Sequence, residues 1–117
     1  MRNFTIMAKT PEGLVQEYGR KQLTAKGCLV RKIGYEMRRG CPDHLVLVPE
    51  ITFNTITHAW DVPARIVFIE YKATEDTMPE EHQLREHERI RQHGGDVRVI
   101  GSKRQVDALV KELFPCE

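Results

Sequence analysis

Residues 40–72 constrain this chain more than any other stretch. They open with Gly40-Cys41-Pro42-Asp43 and close with Ile69-Glu70-Tyr71-Lys72. Between these ends lie two apolar runs, Leu45-Val46-Leu47-Val48 and Ile66-Val67-Phe68-Ile69. Runs this short and this rich in β-branched residues read as strands. Side chains alternate faces along a strand, so Glu70 and Lys72 point one way and Tyr71 the other. If the two runs pair, Asp43 approaches the strand end that carries Glu70 and Lys72. Two carboxylates and an ammonium then share one place, which suits a divalent metal with a nucleophile beside it.

The rest of the chain supplies the elements around that stretch. Thr10-Pro11-Glu12 reads as a helix start, with a capping hydroxyl, a proline in the first turn and an acid near the positive end. Leu14, Val15, Tyr18, Gln22 and Ala25 gather on one side at helical spacing, with Glu17 at its edge and Gly27 as the stop. Residues 28–35 form a first strand, 45–48 a second and 65–72 a third, the last apolar enough to be central. The connection over 49–64 exceeds a tight hairpin. Its Ile51–Ile56 part alternates, whereas Trp60 and Pro63 argue against a uniform strand. Thr77-Met78-Pro79-Glu80 carries a capping-box pattern ahead of a helix over residues 79–93. Leu84, His87 and Ile90 are its thin apolar stripe, and Gly94-Gly95 ends it. Asp96–Ile100 is a fourth strand, and strand, helix, strand in that order implies a right-handed parallel crossover. Ser102 caps a last helix with Val106, Leu109, Val110 and Leu113 on one face. The order αβββαβα describes an α/β fold, a mixed sheet flanked by helices, as one domain over residues 1–117.

Composition narrows the function classes. Of 117 residues, 40% are hydrophobic and 30% charged, an ordinary globular balance. No apolar run approaches the roughly 20 residues that cross a bilayer, and the first nine residues hold no sustained apolar region, so neither a membrane span nor a signal peptide is expected. Cys28, Cys41 and Cys116 are odd in number and scattered. They suggest no disulfide framework or zinc knuckle, and a reducing, cytoplasmic setting is expected. The net charge of +1 says little about partners. Arg31, Lys32, Arg38 and Arg39, however, crowd the approach to Gly40 as a solvated basic surface or a phosphate-contacting patch. His82, His87 and His93 do not fall in the H-E-x-x-H register of zinc proteases. His44, next to Asp43, reads as a strand-edge histidine, with a contact to a phosphate or a metal-bound water as the alternative, and Cys41 reads as a spacer that no second motif recruits as a nucleophile.

Magnesium and manganese prefer oxygen ligands, and two acids held close repel each other unless a cation or proton lies between them. A lysine beside such a pair can position or deprotonate water and stabilise charge on a phosphate. Glu-x-Lys on a strand is common by itself, and its force here comes from Pro42-Asp43 ahead of the preceding strand. With Arg38-Arg39-Gly40-Cys41-Pro42-Asp43 and Ile69-Glu70-Tyr71-Lys72-Ala73, the chain resembles the PD-(D/E)XK nuclease superfamily. More narrowly, it resembles the virus-type replication–repair nuclease (VRR-NUC) domain. Gln83 matches the glutamine that opens the family's next helix, and Gly94-Gly95-Asp96-Val97-Arg98-Val99-Ile100 matches its glycine pair and valine-rich strand. Glu17 is the match to an upstream helical glutamate.

The resemblance spans residues 11–104 and points to the small stand-alone members seen in phages and bacteria. It departs from the family in the length of residues 49–64 and in Thr74-Glu75-Asp76-Thr77-Met78-Pro79, where a glycine-rich loop is usual. It implies a restriction-endonuclease-like core and a Mg2+- or Mn2+-dependent deoxyribonuclease acting on branched DNA as a homodimer, in the manner of a Holliday-junction resolvase. A flap or nicking nuclease, a non-catalytic DNA-binding module of the same fold and a restriction-like or RNA-directed nuclease are the alternatives. By the same resemblance Asp43, Glu70 and the Tyr71 backbone carbonyl are metal ligands, and Glu17 holds a second metal or its water shell. Lys72 orients the nucleophilic water, Gln83 hydrogen-bonds beside it, and Arg31, Lys32, Arg38 and Arg39 contact DNA. The 49–64 connection and Trp60 are expected at the dimer contact.

Overall fold

A computed structural model describes residues 9–52, 56 and 61–115. Trp60, Cys116 and residues 53–55 of the Ile51–Ile56 stretch lie outside the described residues. Helix α1 spans Pro11–Ala25, and β1 (Leu29–Lys32), β2 (His44–Val48) and β3 (Arg65–Tyr71) follow. Then come α2 (Glu81–Gln92), β4 (Asp96–Ile100) and α3 (Lys103–Leu113). The sheet order is β1-β2-β3-β4, antiparallel except for the parallel pair β3–β4 on either side of α2. The mixed sheet and the αβββαβα order are those the sequence predicts.

Local chemistry fixes the boundaries. Thr10 caps α1 by accepting from the Gly13 N–H at 3.0 Å, and Ser102 caps α3 by accepting from the Gln105 N–H at 3.0 Å. β1 is shorter than 28–35: beyond Lys32 one further bond, from the Ile33 N–H to the Asp43 carbonyl, holds the pair together. The capping box of α2 also sits three residues later than Thr77 suggests. Glu80 is the N-cap, and its own N–H donates to Gln83 Oε1 at 2.9 Å, while Thr77 closes a turn on Thr74. Gln83 outcompetes the expected cap because its amide reaches back to Glu80.

The core lies between one sheet face and the pair α1 and α3. Val46, Val48, Val67, Ile69 and Tyr71 from the sheet meet Val15, Leu23, Val106, Leu109 and Leu113 there. The buried side of α1 is Val15, Gly19 and Leu23, whereas Leu14, expected inside, is 50% exposed. Gly19 explains the rotation, since a Cβ at that position would overlap the Tyr71 hydroxyl. Its bare backbone admits the Tyr71 ring and turns α1 accordingly. On the opposite face α2 packs against β4. Its buried residues are Glu86 and His87, not an apolar stripe, and Leu84 is 41% exposed.

Candidate active site

The loop into β2 and the end of β3 meet under the N-terminal half of α2. Gly40 has φ 96°, and a Cβ there would stand 2.8 Å from the His82 carbonyl oxygen, so only glycine lets this loop lie against α2. Asp43 follows three residues later. Its Oδ2 accepts from the Tyr71 N–H at 2.7 Å, which pins the carboxylate across the end of β3 beside Glu70.

Glu70 is 2% exposed and faces α2. Gln83 Nε2 donates to its Oε2 at 3.0 Å, and Lys72 Nζ lies 3.9 Å from the same oxygen. Lys72 in turn donates to Gln83 Oε1 at 2.8 Å. Gln83 thus spans the pair, accepting from the ammonium and donating to the carboxylate. His87, one turn along α2, is fully buried, with Nε2 3.5 Å from Glu70 Oε1. That is an ion-pair distance rather than a hydrogen bond, and neither His87 ring nitrogen has another partner. Burial pushes the Glu70 pKa above the ordinary carboxylate range, with the Asp43 charge in the same direction, while His87 and Lys72 oppose the shift.

Asp43, Glu70, Lys72 and Gln83 are therefore brought together. Glu17 stands apart on α1, paired with Lys9 and with Lys21 at 3.4 Å. Among the described residues no three histidine, cysteine or acid side chains gather as a metal-binding cluster. The donor set that remains, two close carboxylates with the Tyr71 carbonyl in the same strand end, fits a hydrated Mg2+ or Mn2+, which takes one or two carboxylates and keeps waters. The buried, raised-pKa Glu70 is a group that a cation would relieve.

The four predicted DNA-contacting residues are all exposed, but they differ in their engagements. Arg38 pairs with the buried Glu86 at 3.0 Å, and Arg39 meets His82 at 2.8 Å. Arg31 donates to the Val30 carbonyl, and Lys32 lines a groove beside α1. One residue, His87, was hidden from sequence reasoning, and a second, the strand-edge His44, is more deeply buried than the sequence suggests. His87 carries a signal in hindsight, four residues from Gln83 and so on the same helical face. His44 is 4% exposed, edge-on to Tyr71 at 5.5 Å, with Nδ1 unpartnered. Burial first, then the charges of Lys32 and Arg20, lower its pKa against the pull of Asp43.

No family model and no curated protein matches the sequence. A solved structure described as a VRR_NUC domain superposes with a TM-score of 0.75 at 45% sequence identity, over 88% of this chain and 97% of that one.

Proposed function

The chain belongs to the VRR-NUC family of nuclease domains, and from there we propose that it is a metal-dependent DNA endonuclease acting on branched DNA as a homodimer, in the manner of a Holliday-junction resolvase. The observation that carries the reading is the Lys72–Gln83–Glu70 chain, with hydrogen bonds of 2.8 and 3.0 Å, set beside Asp43 on the Tyr71 N–H. In the hydrolysis it performs, a water oxygen bonds to phosphorus as the bond to the leaving sugar oxygen breaks. The products are a phosphate monoester and a hydroxyl.

Each residue has a part in that reaction. Lys72 holds the attacking water and opposes the charge that gathers on the phosphate. Gln83 keeps the ammonium in place and fixes Glu70 Oε2, while Oε1 faces His87. Asp43 and Glu70, with the Tyr71 carbonyl, would hold the cation, and Glu17 would serve its water shell or a second ion only on release from Lys9 and Lys21. Mg2+ or Mn2+ there supplies Lewis-acid polarisation of the phosphate and a more acidic water. Arg31, Lys32, Arg38 and Arg39 contact DNA phosphates.

Two active sites are needed to cut a four-way junction symmetrically, which favours a dimer. An apolar row across the sheet supports it: Leu29, Leu47 and Ile66 are cross-strand neighbours, 43, 36 and 53% exposed. The test is incubation of labelled junction, flap and duplex DNA with Mg2+, with Mn2+ and with chelator. Metal-dependent junction cleavage is the expected result. Cleavage that persists in Asp43→Ala or Lys72→Ala would remove the site assignment. Cleavage of flaps or nicked duplex alone would replace the resolvase with a flap or nicking enzyme, and binding without cleavage would leave a DNA-binding module.

A further inference from the structure

We propose that the groove between α1 and the β1–β2 edge is a phosphate subsite for the bound DNA strand, with Arg20 and Lys32 as its cations and Gln16 as its neutral donor. The proposal rests on the reading of the chain as a DNA nuclease. The groove encloses about 400 Å³ and draws Gln16 and Arg20 from α1, Lys32 from β1 and His44 from β2.

Arg20 is the reason to look there. Every other described arginine donates to a carboxylate, a carbonyl or an imidazole, from Arg31 on the Val30 carbonyl to Arg104 on Glu75. Arg20 has no such partner among the described residues, and neither does Lys32. The two cations come from different elements, and His44, the register partner of Lys32, lines the same groove. Gln16 and Arg20 are four residues apart and share a helical face. The acid in the groove, Glu17, is already offset by Lys9 and Lys21.

At the floor of the groove, Gln16 is the one polar side chain within hydrogen-bonding reach of His44 among the described residues. His44 is 4% exposed with Nδ1 unpartnered, and its Nε2 faces Gln16 Nε2 at 3.4 Å, a contact longer than a strong hydrogen bond. A phosphodiester oxygen accepts from a guanidinium, an ammonium and an amide at once, which is what these walls present. His44 directly follows Asp43 in the chain, so the groove begins one residue from the proposed cation ligands.

Equilibrium binding of a labelled four-way junction, in chelator and between about 50 and 200 mM salt, tests the subsite. Arg20→Ala and Lys32→Ala should each flatten the slope of log affinity against log salt by roughly 1, and the double variant by roughly 2. Arg20→Lys should restore the slope, and Lys111→Ala on α3 should leave it unchanged, with circular dichroism the same for all. A wild-type slope in the double variant overturns the subsite. The nuclease reading is scored on the wild-type protein alone. Slope loss without cleavage of any DNA in Mg2+ or Mn2+ keeps the subsite and removes the nuclease, whereas cleavage with unchanged slopes does the reverse.

Discussion

Glu70 is ionisable, almost fully buried, and shifted upward first of all by that burial. The fold therefore favours its protonated form. The stability this contributes is present below the ordinary carboxylate range and is lost as pH rises through the raised pKa of the folded state. At neutral pH, without a cation, the ionised group is a cost. Glu70→Gln keeps the shape and removes the charge, so at pH 7 in chelator it should raise unfolding free energy by about 0.5–2 kcal/mol while abolishing cleavage. Urea denaturation checks this, and the gain should vanish at a pH acid enough to protonate Glu70. A destabilised Glu70→Gln at pH 7 would mean that Gln83, Lys72 and His87 more than repay the burial. Gln83 belongs to the same scale, because its amide touches both Lys72 and Glu70. Gln83→Ala should reduce kcat by about 10–100-fold with little change in KM, the pattern of a lost orienting partner rather than lost DNA binding.

At the scale of elements, α1 depends on Gly19. The backbone there touches the Tyr71 ring, whose Cζ would stand 2.9 Å from an added Cβ. Alanine is the better helix former by up to about 1 kcal/mol, yet overpacking against a ring that is 1% exposed costs more. Gly19→Ala should therefore destabilise the protein by about 1–2 kcal/mol, read from thermal or urea unfolding. Such a contact shows where the sequence stops being legible. Strands β2, β3 and β4, the caps Thr10 and Ser102, and the meeting of Asp43, Glu70 and Lys72 all follow from period, capping chemistry and spacing, whereas Gln83 enters only through the family resemblance. The rotation of α1 does not, because it is set by a tyrosine more than fifty residues away that no helical pattern encodes. His87 escapes for a related reason: periodicity places it on a face without saying that the face covers a carboxylate. Glu17 marks a third limit, since position on a helix does not reveal that Lys9 and Lys21 hold its charge.

A further link between elements is ionic. Asp96 on β4 accepts from Arg65 at 2.8 Å and from Arg98 at 2.6 Å, and Arg98 also grips Glu112 on α3 at 2.6 and 2.9 Å. Burial works against the ionised Asp96, but the Arg98 and Arg65 hydrogen bonds win and lower its pKa. The Arg98 hydrogen bond likewise lowers that of Glu112. Depressed carboxylates contribute stability that is present above their unfolded pKa and lost as pH falls through the folded value. The wild-type protein should thus lose stability below about pH 4. Arg98→Met should lose about 1 kcal/mol near pH 7 and less at pH 3, measured by urea unfolding at both.

For the whole molecule, the two faces of the sheet are unequal. The first is closed by α1 and α3, while α2 crosses the second only over β4 and Glu70. Among the described residues no helix covers that second face over β1 and β2, and Leu29, Leu47 and Ile66 lie side by side across β1, β2 and β3. Scattered exposed leucines need no explanation, but three direct neighbours across three strands form a patch that a partner can cover. A second copy is the economical occupant, because a twofold axis matches the patch to itself and delivers the second active site that a junction requires. Leu47→Asp with Ile66→Asp places charge in the centre of that contact while leaving the buried strand residues Val46, Val48 and Val67 untouched. The double variant should remain folded by circular dichroism but become monomeric by light scattering at micromolar concentration. Paired junction cuts should then fall to single nicks at a reduced rate. A dimer that survives both charges would move the contact off this face, and a wild-type monomer with and without junction DNA would end the resolvase reading. Monomeric nicking by the variant, with Lys72 and Gln83 intact, would instead separate the chemistry from the symmetry: one site suffices to break a phosphodiester bond, and two are needed to resolve a junction.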